Sequence, residues 1–126
     1  MSIVAAVFVA LAAFLHVYIF LMESIWWTRP ATWKRFGVAS QADADATRPM
    51  AYNQGFYNLF LAVGAVIGLL LFFGGQSPAG TALVLFSTGS MVLAATVLTT
   101  TGPGYRRAAL TQGTLPLIGF VLFLVS

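Results

Sequence analysis

Hydrophobic positions in this chain fall into four long runs: Ile3 to Trp27, Tyr52 to Phe73, Ala79 to Thr101, and about Ala109 to Val125. A helix rises about 1.5 Å per residue, so about 20 apolar residues cross the roughly 30 Å hydrocarbon layer of a bilayer. The first three runs reach that length and the fourth barely does. The pattern predicts an all-α, four-transmembrane-helix antiparallel bundle, with helices over about 3–27, 50–73, 79–101 and 108–125. The chain, residues 1–126, reads as a single integral membrane domain.

The polar intervals fit that reading. TRPATWKRFGVASQADADATRP occupies a polar cytoplasmic loop, 28–49, bracketed by Pro30 and Pro49, each of which disfavours helix in the residue before it. Trp33 and Phe36 are expected to dip into the interface there, and Trp26, Trp27 and Trp33 to form an interfacial belt. GGQSPAG and TGPGYRR are short enough for turns between antiparallel neighbours. The first run has no basic residue before it, and its apolar part exceeds the roughly 7–15 residues of a signal-peptide core, so it is expected to stay attached.

Composition removes the soluble alternative. Of the residues 60% are apolar and 7% charged, against about 45–50% and about 25% in soluble domains. The net charge of +3 sits in two clusters flanking apolar runs, which marks membrane edges rather than a nucleic-acid partner. Arg29, Lys34, Arg35 and Arg48 lie in the first connection and Arg106 and Arg107 in the third; the termini and the second connection carry no Lys or Arg. The positive-inside rule then puts both termini outside, in a membrane expected to be the bacterial inner (cytoplasmic) membrane. The absence of cysteine excludes disulfides and thiolate chemistry.

Chemistry-bearing residues converge on one half of the bundle. His16 and Glu23, the sole histidine and the sole glutamate, are seven residues apart on the first helix, which returns them to one face within roughly 20°. Asn53, Gln54, Tyr57 and Asn58 open the second helix at the depth of Glu23. Thr111 and Gln112 enter there on the fourth helix, and Thr96, Thr99, Thr100 and Thr101 leave there on the third. An ionisable group facing lipid costs about 2.5 kcal/mol or more, so Glu23 is expected to point inward. Pro116 cannot donate to the carbonyl of Gln112, which favours a kink in the fourth helix beside a polar pocket. The ligand- or proton-binding set is thus Glu23, His16, Asn53, Gln54, Tyr57, Asn58 and Gln112. On the opposite half, Gly64 and Gly68 form a GxxxG, and Gly80, Ser87, Ser90 and Ala94 a small-residue stripe suited to close helix approach.

The segments HVYIFLMESIWWTRP, NQGFYNLFLAVG and TQGTLPLIGFVLF resemble a widespread family of small four-helix membrane proteins catalogued as a domain of unknown function. The resemblance covers nearly the whole chain, is most specific at NQGFYN, and implies the four-helix architecture and importance for His16, Glu23, Asn53, Gln54, Asn58 and Gln112. A looser similarity connects Glu23 to the glutamate of small multidrug transporters, although the six-to-zero charge bias departs from their dual topology. AYNQGFYNLFL is also faintly similar to the second helix of membrane-associated eicosanoid and glutathione enzymes, but Gln54, Phe56 and Tyr57 replace the charged residues that hold glutathione in that family.

Bland readings stand beside these. Glu23 could be an interfacial carboxyl paired with Arg29 or Lys34, His16 a neutral ring bonded to a neighbouring helix, and the amides structural. One His and one Glu fall short of a metal ligand set, and no second axial haem ligand is evident, so no cofactor is expected. Three functions follow. The first is binding, with proton-coupled transport through Glu23, of a small amphiphilic or cationic molecule. The second is a membrane enzyme (isomerase, hydrolase or transferase) using Glu23 and His16 as acid and base on a lipophilic substrate. The third is an accessory subunit of a larger complex. Four short helices make a small core, so a homo-oligomer is expected.

Overall fold

A computed structural model describes residues 3–126; the first two residues lie outside the described residues. The element order is α1 (Ile3–Phe20), a π-helical turn (Leu21–Ile25), α2 (Pro30–Arg35), α3 (Gln41–Phe73), α4 (Ser77–Thr99), a 3-10 turn (Pro103–Tyr105) and α5 (Arg106–Val125). Four segments are long and apolar enough to span a membrane: Ile3–Ile25, Gln41–Phe73, Ser77–Thr99 and Pro103–Val125. They form a square bundle in which α1 packs on α3 and α5, and α4 packs on the same two.

Many large apolar side chains point out, and alanine predominates among the buried apolar ones. Phe14 is 80% exposed and Leu70 68%, whereas Ala5, Ala12, Ala65 and Val84 are fully buried. In lipid, burying large apolar groups gains little, and close backbone approach gives the dispersion contacts that hold helices together. The buried positions of α1 run Ala5, Val9, Ala12, His16, Ile19, with Glu23 and Trp27 following on the same seam. Those of α3 run Ala51, Gly55, Ala62, Ala65, with Asn58 half-buried among them. Steps of three and four residues are those of left-handed antiparallel packing.

The glycine stripe works as the sequence implies. A methyl at Gly68 would lie 2.8 Å from the backbone nitrogen of Val84 and 3.0 Å from the carbonyl of Gly80, and one at Gly80 would run into the backbone of Phe72. Only glycine lets α3 and α4 close to that distance.

The polar interval 28–49 is more ordered than its composition suggests, and two expectations about it are corrected. First, α3 begins at Gln41, not near residue 50, and continues through Pro49. Ser40 caps it, its Oγ accepting the amide of Asp43 at 3.1 Å. Pro49 removes the bond to the carbonyl of Asp45, but that carbonyl precedes the apolar run, where water can satisfy it. At 33 residues α3 is about 50 Å long, so its first turns project beyond a hydrocarbon layer of roughly 30 Å.

Second, Trp27 and Trp33 are not belt residues. They are 9% and 8% exposed and clamp the projecting end of α3. Trp27 Nε1 donates to the carbonyl of Ala44 at 3.0 Å, and Trp33 Nε1 to Gln41 Oε1 at 3.0 Å. Gln41 Nε2 in turn donates to the carbonyl of Thr28 at 2.9 Å. Gly37, at φ 74°, closes α2, with Val38 N–H reaching the carbonyl of Trp33 at 3.1 Å. Trp26 stays half-buried with Arg29 stacked on its ring at 5.4 Å.

Candidate functional site: a buried carboxyl at a π turn

The α-helical ladder of the first span changes at Leu21. Trp26 N–H bonds to the carbonyl of Leu21 at 2.8 Å, five residues back, and Glu23 sits in the middle of the widened turn. The seam supplies a reason. From Ile19 to Glu23 to Trp27 it advances by four residues twice, more per turn than an α-helix allows, and a π turn keeps both side chains on the inner face. Such bulges recur at functional sites.

Glu23 is 6% exposed. Asn58 Nδ2 donates to Glu23 Oε1 at 2.7 Å and also reaches the carbonyl of Gln54 at 3.2 Å. Among the described residues the carboxyl is met by this neutral amide and by no cation, so the expected alternative pairing with Arg29 or Lys34 is not formed. Gly55 brings the two helices together at this level. A methyl there would collide with Ser24 Oγ and lie 3.0 Å from Ser24 N and 3.1 Å from Glu23 Cβ. Ser24 Oγ, one residue from the carboxyl, donates to the carbonyl of Tyr52 at 2.8 Å, a second tie between the spans. Ser24 and Gly55 lie outside the predicted set; the four-three spacing of Ala51, Gly55, Asn58, Ala62 and Ala65 is the sequence signal for Gly55, and Ser24 has none.

The remaining candidates are spread out. Asn53, Gln54 and Tyr57 are exposed on α3, off its seam, and Gln112 is half-buried on α5 with no hydrogen bond to Glu23 or Asn58 among the described residues. His16 is 2% exposed on the seam of Glu23, but its Nδ1 donates to Ala12 of its own helix at 2.9 Å, not to a neighbouring helix. The threonines also turn to their own helices: Thr96, Thr99, Thr100 and Thr101 donate to carbonyls of α4, and Thr111 to the carbonyl of Arg107. Of the predicted set, the structure therefore joins Glu23 with Asn58 and places His16 on the same seam. Surface grooves lie between α1 and α3, along Val17, Ala62 and Val66, and between α4 and α5, and these are not lined by Glu23, Asn58 or Gln112. Among the described residues no cluster of His, Asp and Glu could hold a metal ion.

Residues 10–124 match the family described as Protein of unknown function (DUF1304). The chain belongs to this family. Its match takes in every candidate residue from His16 to Gln112, in the four-helix membrane architecture described above. No curated protein and no solved structure matches the chain.

Proposed function

We propose that the protein binds a small amphiphilic or cationic molecule at Glu23 and that the ligand exchanges with a proton on that carboxyl, the step that proton-coupled transport requires. One observation carries the reading: a carboxyl on the inner seam of a membrane bundle, held by one neutral amide and, among the described residues, by no cation. Charge buried without a counter-charge is costly, and a proton or a cationic ligand are the two ways to remove that cost. Asn58 serves either form, because its amide donates to a carboxylate and its carbonyl can accept from a carboxylic acid.

The site faces the cytoplasm in this reading. All six Lys and Arg residues lie at the end of the bundle that holds Glu23, with Arg29, Lys34 and Arg35 between the first two spans, Arg48 on the projecting turns of α3 and Arg106 and Arg107 at the start of α5, and the positive-inside rule makes that end cytoplasmic with both termini outside. Self-association belongs to the same proposal: Asn53, Gln54 and Tyr57 are exposed on α3, and a second copy would cover them.

The test uses tetraphenylphosphonium, an amphiphilic cation, with purified protein in lipid nanodiscs. Proton and cation compete for one carboxyl, so binding should tighten as pH rises, and Glu23→Gln should abolish it. Binding that is independent of pH and survives in Glu23→Gln would refute the proposal.

A further inference from the structure

The groove between α4 and α5 is unrelated to the Glu23 site. It encloses about 390 Å³ and opens to the lipid-facing side, where Leu110 is 70% exposed and Leu117 48%. Its floor is made by small residues: Gly113 closes on Ala95, whose Cβ would lie 2.9 Å from a methyl added there. Its walls are Val92, Leu110 and Leu117 with Thr96, Thr99 and Thr114. Each of these threonines donates its hydroxyl to a carbonyl of its own helix, to Val92, Thr96 and Leu110 respectively, so the walls offer no free donor and are effectively apolar.

At one end stands Arg106, the groove's sole charged lining residue. The three acidic residues of the chain, Glu23, Asp43 and Asp45, belong to the other two spans and their connection, and none lines the groove. From Arg106 to Leu117 the groove follows α5 for about 16 Å, about half of the roughly 30 Å hydrocarbon layer and hence the depth of one leaflet. A cation at the membrane edge, continued inward by a dry trough one leaflet deep, is complementary to a molecule with an anionic head and an acyl tail.

We propose that the α4/α5 groove is a binding site for an anionic phospholipid, its headgroup phosphate on Arg106 and one acyl chain lying between α4 and α5 as far as Leu117. The guanidinium forms paired hydrogen bonds to phosphate, which fixes the head. The trough fixes the chain.

Native mass spectrometry of the purified full chain, titrated with dioleoyl phosphatidylglycerol or dioleoyl phosphatidylcholine, tests this. The anionic lipid should be retained about fivefold more strongly, the factor given by about 1 kcal/mol per basic residue near an anionic head. Arg106→Gln should remove that preference, Arg107→Gln should keep it because Arg107 does not line the groove, and Thr114→Trp should displace both lipids. Equal retention of the two lipids, or equal losses in Arg106→Gln and Arg107→Gln, would overturn the proposal. So that the result does not depend on how a variant folds, a photoreactive phosphatidylglycerol is also crosslinked to the unaltered protein. Adducts should concentrate on Val92–Thr99 and Arg106–Leu117; an even spread over α1 and α3 would overturn it as well.

Discussion

Replacing Gly55 by alanine probes the contact that seats the carboxyl. The added methyl collides with Ser24 Oγ and lies 3.0 Å from Ser24 N and 3.1 Å from Glu23 Cβ. The hydroxyl can rotate away, but only by giving up its 2.8 Å bond to the carbonyl of Tyr52. The backbone nitrogen cannot, so α1 and α3 must separate. Overpacking costs about 1–3 kcal/mol and a lost hydrogen bond about 0.5–1.5 kcal/mol, which puts Gly55→Ala at about 1.5–4.5 kcal/mol. Two comparisons check the cause. Gly64→Ala meets chiefly Ser87 Oγ, at 2.6 Å, which can turn aside, and should cost less. At Gly104 nothing lies within 4 Å, and its replacement should stay within about 0.5 kcal/mol of wild type. Reversible unfolding in mixed micelles reads all three. If Gly55→Ala is as stable as Gly104→Ala, the close approach of α1 and α3 at the π turn is wrong.

Asn58→Leu removes the interhelical bond to Glu23 and should destabilise the bundle by about 0.6–1.7 kcal/mol, and tetraphenylphosphonium binding should weaken with it; unchanged unfolding and binding would deny the pairing. Trp27→Phe leaves a smaller aromatic ring and loses the Nε1 donation to Ala44 and Thr47, at about 1 kcal/mol or more, so amide exchange in Gln41–Arg48 should accelerate while Ala62–Phe73 is unchanged. For sidedness, the cysteine-free chain allows single labels: in intact cells an impermeant maleimide should modify Ser126→Cys and spare Gly104→Cys, and the reverse pattern would invert the orientation.

The four spans were legible because membrane crossing depends on length and apolarity, which the sequence states directly. So was the tight α3–α4 seam, since Gly64, Gly68 and Gly80 have few other uses in apolar helices. The meeting of Glu23 with Asn58 was legible as part of a larger set, but Asn53, Gln54 and Tyr57 were not separable from Asn58 by depth alone. What separates them is the rotation of α3, fixed by the small-residue seam through Ala51, Gly55, Ala62 and Ala65. Helix through Pro49 was hidden because local preference opposes it; tertiary bonds from Trp27 and Trp33 to Ala44 and Gln41 decide the matter. Those same bonds turn two tryptophans inward that interfacial statistics would leave at the surface. The π turn has no local sequence cue, for it follows from keeping Glu23 and Trp27 on one face at once.

Counting protons released on cation binding tests the central claim most directly. Calorimetric titration of tetraphenylphosphonium into the protein, in weakly acidic buffers of differing ionisation enthalpy, reads that count without assuming a binding model for the buffer. A proton should leave for each cation bound to the wild-type protein, and Glu23→Gln should neither bind the cation nor release a proton. Cation binding with no proton released, or release that persists in Glu23→Gln, would contradict it.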